Sequence, residues 1–549
     1  MRGRSWLAAL IAAAPAFLCS ALTPVLASAQ DAPAVAQSAD QSAAAPDLAG
    51  QEQASPAGAA PDAADPATAS PAVAAPAEAA APPPEGTPVV ASIRTKLADL
   101  SKTSSLDDVA ALAAFYNERG ESLWMTDMGF SGEGLAVIDE ILRADDWGLA
   151  SVAFELPPSG DIPASPDAAA ANEIKLDLAI LKYARFARGG RTDPVKLNKL
   201  FGMTPSLRNP KTVMTEIAAA ESPDAYLRSL HPKHEQFQRL HEALLKARAE
   251  SEAGAKPANT QKIVVNMERW RWMPEDLGSL YVWLNIPTFM VRVVKEGKSI
   301  YTDKIVVGEL KYATPVFSAD LKSIVFNPEW TVPPTIVREN LLPNLRSGGG
   351  WFGNNTAILK QHELIVNYNG RQVDPSSIDW NHVNMGAISF TQAPGPNNVL
   401  GKVKFVYPNP YSVYMHDTIK QGLFDKDMRA EGHNCPRVGN PGKIAAVVLA
   451  ADQNMPQADI DKLLASGYNS AVNIAHRVPV HTSYFTAMVD EQGKVETFAD
   501  VYKLDSVTGA AILGKETKSE AVAENADAKP KPAKPAAAAP SQGGFATTP

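Results

Sequence analysis

One thiol and two imidazoles carry the chemistry legible in this chain. Between Tyr414 and Asn440 the sequence reads YMHDTIKQGLFDKDMRAEGHNCPRVGN, with His416 nineteen positions before Cys435 and His433 two before it. A thiolate, not a thiol, is the nucleophile, and a neighbouring imidazole both lowers a cysteine's pKa and accepts its proton. Gly432, Pro436, Gly439, Pro441 and Gly442 crowd both sides, which predicts a tight loop presenting the sulfur to substrate. A packing cysteine would sit in an apolar run, whereas this one has Asn434 before it and Pro436-Arg437 after it. The pattern predicts a catalytic thiol. Zinc held by His416, His433 and Cys435 is a rival use of the same atoms. No obvious fourth ligand accompanies them, and neither a metal nor a cofactor is expected.

The rest of the chain must export and position that thiol. Residues 1–29 read as a cleaved secretory signal: Arg2 and Arg4, an apolar core from Trp6 to Leu18, then Ala27-Ser28-Ala29 as a small-residue cleavage site. The core is too short and alanine-rich for a membrane span, and Leu18 is too bulky before Cys19 for a good lipid-anchoring site. Cleavage leaves Cys435 as the sole cysteine and, by removing the two arginines, takes the formal charge from −9 to −11. An acidic exported product of this kind is a poor nucleic-acid binder. A lone thiol kept in an oxidising compartment is best explained by chemistry. The expected location is the periplasm.

Residues 30–92 are almost entirely Ala, Pro, Ser, Gln, Asp and Glu without an aromatic ring, predicting a disordered tether. Over 93–250 the apolar residues recur with helical spacing: Val109, Leu112, Phe115 and Tyr116, then Ile174, Leu176, Ile180 and Leu181 before the stop at Gly189-Gly190. Ser105 is the expected cap of the first of these helices. His231, His234 and His241 stand among charged residues, which predicts a solvated face rather than a metal site. A linker over 251–261 separates this helical part from 262–514, where β-branched and aromatic runs predict strands at 281–286, 289–294 and 300–307, with Glu296-Gly297 as a hairpin turn. The tryptophan-dense run 266–272 is expected to pack against a sheet edge. Residues 331–396 are loop-rich and predict a cap or lid over the site. Residues 515–549 revert to Ala, Pro and Lys, a disordered tail. The fold class is α+β: a helical scaffold, then a mixed β-sandwich-like domain with a capping insertion, between disordered ends.

Tyr414-Met415-His416-Asp417-Thr418, followed after thirteen residues by Gly432 to Asn440, resembles the signature of the L,D-transpeptidase (YkuD) catalytic domain. Stretches at 266–272, 327–333, 394–405 and 423–430 resemble the large periplasmic Gram-negative type, helical scaffold included. There are departures: Asn434 stands where glycine is usual, Gly432 where serine or threonine is usual, and Pro436 where an aliphatic residue is usual. The resemblance implies that Cys435 attacks the diaminopimelate–D-alanine bond of a peptidoglycan stem and forms a thioester. His416 is then the base, His433 serves the acceptor amine, and Arg437 meets a stem carboxylate. Tyr414 and Trp330 line the cleft, with ordinary packing as their alternative. Asn434 and Asn440 complete the implied substrate-binding group. The acceptor stays open: another stem (a 3-3 cross-link), an envelope protein, a free D-amino acid or water. A wall-binding scaffold with a decayed site is the reading from a different class.

Overall fold

The computed structural model describes residues 84–103, 107–254, 260–347 and 355–514. The expected signal, most of the expected tether, the middle of the linker, the Ser105 cap, the 348–350 glycine triplet and the 515–549 tail lie outside the described residues. The architecture is α+β, with helices first and a β-rich domain after them. No helix among the described residues is long and apolar enough to cross a membrane.

Helix formation begins earlier than composition suggests. Pro88–Thr103 is one helix, so the expected tether ends before 88. Proline is at home in a first turn, and Val90, Ile93 and Leu97 then fall on one stripe, each 0% exposed. Gly132–Leu142 and Pro166–Gly189 follow, capped by the hydroxyls of Ser131 and Ser165. Their shared core also buries two acids of the long helix. Glu173 accepts from the Ser122 hydroxyl and backbone amides of 123–125, while Asp177 accepts from the Trp124 indole at 2.8 Å and from Tyr116. Burial, reinforced by the charge of Glu173, holds the Asp177 carboxyl far above its ordinary range.

The histidine trio is packed, not solvated. Trp147 lies between the rings of His231 and His241, at 4.1 and 3.8 Å between centroids, and His234 Nε2 lies 2.9 Å from the Pro274 carbonyl. The charged neighbours Lys233, Glu235 and Glu242 stay exposed while the imidazoles turn inward.

The tryptophan-dense run is not an edge cover but the last turns of a helix, Thr260–Trp272, with every residue from Ile263 to Trp272 buried. It joins the two parts of the fold. Toward the β domain, Trp270 stacks on Phe485 at 4.3 Å and Arg269 reaches Asp505 at 2.6 Å. Toward the helical domain, Arg271 donates to the Trp147 carbonyl at 2.7 Å, and Glu268 accepts from the backbone amides of Arg191 and Thr192. Gly190 makes that approach possible: its φ is +84°, and a Cβ there would lie 2.6 Å from Glu268 Oε1.

Eleven strands are linked by hydrogen bonds into one connected set. In chain order they are β1 (Leu280–Asn285), β2 (Met290–Lys295), β3 (Lys298–Gly308), β4 (Phe317–Asp320), β5 (Ser323–Phe326), β6 (Val403–Val406), β7 (Met415–His416), β8 (Ala430–Gly432), β9 (Arg437–Val438), β10 (Ser470–Asn473) and β11 (Pro479–Ser483). The spatial order is β10-β5-β6-β7-β9-β3-β2-β1-β11-β4, with β8 alongside β3. The turn between β2 and β3 has Glu296 and Gly297 at φ 49° and 73°, the left-handed pair that a two-residue hairpin requires.

The insertion after β5 is more than loops. Trp330–Thr331, Ile365–Tyr368, Arg371–Gln372 and Ile388–Gln392 make their own four-stranded sheet. Trp330, Ile336, Leu345, Leu359, Val366, Trp380 and Phe390 belong to a separate core. Glycine and proline punctuation disguised this subdomain because its elements are only two to five residues long.

Candidate active site

Cross-strand register brings the site together. Lys404 on β6 pairs with His416 on β7 in antiparallel fashion, and His416 pairs with Arg437 on β9 in parallel. Residues directly opposite share a face of the sheet, and so do residues two apart on a strand. Lys404, His416 and Arg437 therefore lie on one face, with the Tyr414 ring beside Lys404 and Cys435 in the loop just before β9. Phe405, Met415 and Val438 alternate to the other and enter the main core. The His416 amide donates to the Pro436 carbonyl at 3.1 Å, drawing the histidine strand against the cysteine loop. Tyr414 packs against the core of the insertion, in the cluster that contains Trp330.

The imidazole is held by backbone, not by the adjacent carboxylate. His416 Nδ1 lies 2.5 Å from the Asp417 carbonyl, so Nδ1 carries the proton and Nε2 is left as acceptor. The Asp417 carboxylate instead accepts from the amides of Lys402 (2.8 Å) and Thr418 (2.7 Å). Burial, then the Arg437 and Lys404 charges, presses the His416 pKa down to about 3. Burial pushes the Cys435 thiol up to about 11, against the pull of the Tyr414 backbone and of Lys404 and Arg437. The pair rests as thiol and neutral imidazole. The arrangement suits concerted proton removal as sulfur attacks, with the two cations favouring the charge that develops on sulfur.

The remaining expected residues divide. His433 stacks on Tyr312 at 4.0 Å between centroids, and the Tyr312 hydroxyl donates to Glu339 of the insertion at 2.6 Å. Burial and the charge of Arg437 hold its pKa below the ordinary histidine value. Arg437, expected at a substrate carboxylate, is 1% exposed. It lies beneath the thiol as a buried cation, because its place on β9 inside the sheet takes it out of solvent. Asn440 is set apart from the others: its side chain caps the helix Pro441–Gln453. It also lines a separate cleft of about 440 Å³ with Tyr301, Asp303 and Lys304. Asn434 stands half-buried beside the thiol, and it is not among the residues with positive φ, so its backbone does not need glycine. Gly432 is closely seated, since a Cβ would lie 3.1 Å from the Val307 carbonyl.

Two residues of this face were not singled out from sequence. Tyr312 gave no signal beyond an aromatic in a short turn. Lys404 did give one: it lies on the strand leading to His416, where alternation opposes it to the core-facing Phe405.

The chain is α+β, a mainly helical domain followed by a mixed sheet that holds His416 and Arg437. It carries the L,D-transpeptidase catalytic domain (YkuD), matched over residues 279–458, and a scaffold domain, matched over 110–244. Strands β10 and β11 extend the sheet beyond the first of these segments. A curated relative from Haemophilus influenzae (strain ATCC 51907 / DSM 11121 / KW20 / Rd), named "Putative L,D-transpeptidase", is 30% identical over 247 residues. That match spans 45% of this chain and about half, 48%, of the relative.

Proposed function

We propose that this protein is a periplasmic peptidoglycan L,D-transpeptidase, exported through a cleaved signal and acting through Cys435. His416 Nε2 takes the thiol proton as sulfur attacks the carbonyl between diaminopimelate and the terminal D-alanine of a tetrapeptide stem. The S–C bond forms, the C–N bond breaks, and the imidazolium returns its proton to the departing amine. The resulting thioester passes to an amine, and a second stem, giving a 3-3 cross-link, is the favoured acceptor. His433, beside the thiol and stacked on Tyr312, serves the incoming amine. An envelope protein or water as acceptor would give wall attachment or carboxypeptidase activity from the same intermediate.

The observation that carries this reading is a backbone-tethered neutral imidazole whose own amide donates to the carbonyl of Pro436, the residue after Cys435. It argues against a decayed scaffold, because a site without catalysis has no need to bury and orient both groups. Cys435→Ala should abolish cross-linked dimer and thioester formation from tetrapeptide muropeptides while leaving the fold intact. Intact-mass analysis should show a stable carbapenem adduct on the native chain and none on the variant. Dimer formation by the alanine variant at the native rate would reject the assignment.

A further inference from the structure

A stem peptide that donates through its last bond carries a carboxylate two bonds beyond the leaving nitrogen. Bringing that charge into a half-buried site is costly unless a cation or hydrogen-bond donors meet it. Arg437 is badly placed to do so at 1% exposure. Lys404 is the other cation on this face, and it is half-buried rather than enclosed. Its register partner is His416, and its Nζ stands 4.2 Å from the centroid of the Tyr414 ring, itself 5.6 Å from the His416 ring. A ring face steers an ammonium without satisfying its hydrogen bonds. Among the described residues no carboxylate acts on Lys404, and Cys435 is the one acidic group that does. Asp417, the nearest acid along the neighbouring strand, is engaged by the amides of Lys402 and Thr418.

Building on the acyl-transfer reading above, we propose that the Lys404 ammonium anchors the C-terminal carboxylate of the donor peptide and so selects stems that end in a free acid. The strand fixes the stem of the lysine and the Tyr414 ring holds its head over the site. The carboxylate would take the three N–H donors that no protein acid occupies. Held there, the leaving residue keeps its nitrogen within reach of the His416 imidazolium until the C–N bond has broken. Lys404 is then a positioning and specificity residue, while Cys435 and His416 perform the chemistry.

The test compares two donors, a tetrapeptide stem ending in D-alanine and the same stem ending in D-alanine amide, in single-turnover acylation of the full chain. The native protein should prefer the free acid on the order of ten- to a hundredfold, the size of one charge-assisted contact. Lys404→Met should erase the preference for the free acid, because any effect of the lysine charge on the sulfur falls on both donors alike. Lys404→Gln gives a second variant closer in polarity, and Lys404→Arg should restore most of the preference. A neutral alkylating probe, chloroacetamide, reads the effect on the sulfur alone, and acylation by the free acid should fall further in Lys404→Met than alkylation does. Retained acid preference in Lys404→Met would overturn the proposal. So would acylation by the free acid that falls no further than alkylation, which would mean that the lysine acts on the sulfur alone. A native protein that acylates with neither stem would reject the acyl-transfer reading itself, and the anchor with it.

Discussion

With His416 held down to about 3 and Cys435 up to about 11, the interval between contains one charge state of the pair. A pre-formed thiolate–imidazolium pair would need the opposite order, with the imidazole the stronger base of the two. Alkylation of Cys435 by iodoacetamide should therefore rise steadily with pH, with no plateau below about pH 8.5, the value of an ordinary thiol. A plateau setting in near neutrality would show a stable thiolate and contradict the buried, neutral site. Cys435 and His416 stand out in the sequence because their spacing and glycine-rich surroundings are local features. Lys404 is legible there only as an outward residue of its strand, since its partnership with His416 comes from strand register, which is a long-range property.

The helix Thr260–Trp272 shows why some elements escape a periodicity argument. An amphipathic stripe identifies a helix with one wet side, and this one has none, because ten consecutive residues from Ile263 to Trp272 are buried. Its tryptophans and β-branched residues read equally well as the approach to a strand. Arg269, 3% exposed, bridges from that helix to Asp505, the Tyr484 carbonyl and the Thr508 hydroxyl. Arg269→Leu would leave these acceptors facing an apolar side chain. The expected loss is about 3 kcal/mol or more in urea unfolding, the range for breaking a buried ionic contact. A loss below about 1 kcal/mol, typical of exposed pairs, would show that the contact does not hold the helix against the β domain as described. The inserted subdomain teaches the same lesson at smaller size, because strands of two to five residues leave too short a pattern to detect.

Several imidazoles across the fold are buried in neutral form, which gives the protein an acid response of predictable sign. His416 is held down to about 3, and His481 to about 4 by burial; each is 1% exposed. The unfolded chain binds a proton on each near pH 6.5 while the folded chain does not, so stability present above that pH is lost as it falls toward the folded values. Each such group contributes a slope of about 1.4 kcal/mol per pH unit within its window. His481 is the clean probe, being outside the site, with Ser318 Oγ 2.8 Å from Nδ1 and the Leu277 carbonyl 2.9 Å from Nε2. His481→Gln should flatten the fall in unfolding free energy between pH 6.5 and 4 by about one such slope. An unchanged pH profile would mean that the imidazole is charged or solvated in the folded chain. At this scale the order of parts was legible from composition. The starting point of the first helix was not, because Pro88 looks like tether until Val90, Ile93 and Leu97 are seen to share one buried stripe.

The row Lys404, His416 and Arg437 also constrains how this sequence can change its length over evolutionary time. Because strand side chains alternate, deleting one residue within β6 would carry Lys404 into the apolar layer and turn Phe405 outward. The connection from Val406 to Met415 is no freer, because Tyr407 and Val413 are buried and the Asn409 side chain donates to the carbonyls of both. Homologous chains should therefore keep an unbroken count along both strands and the turn between them, as a ruler keeps its marks.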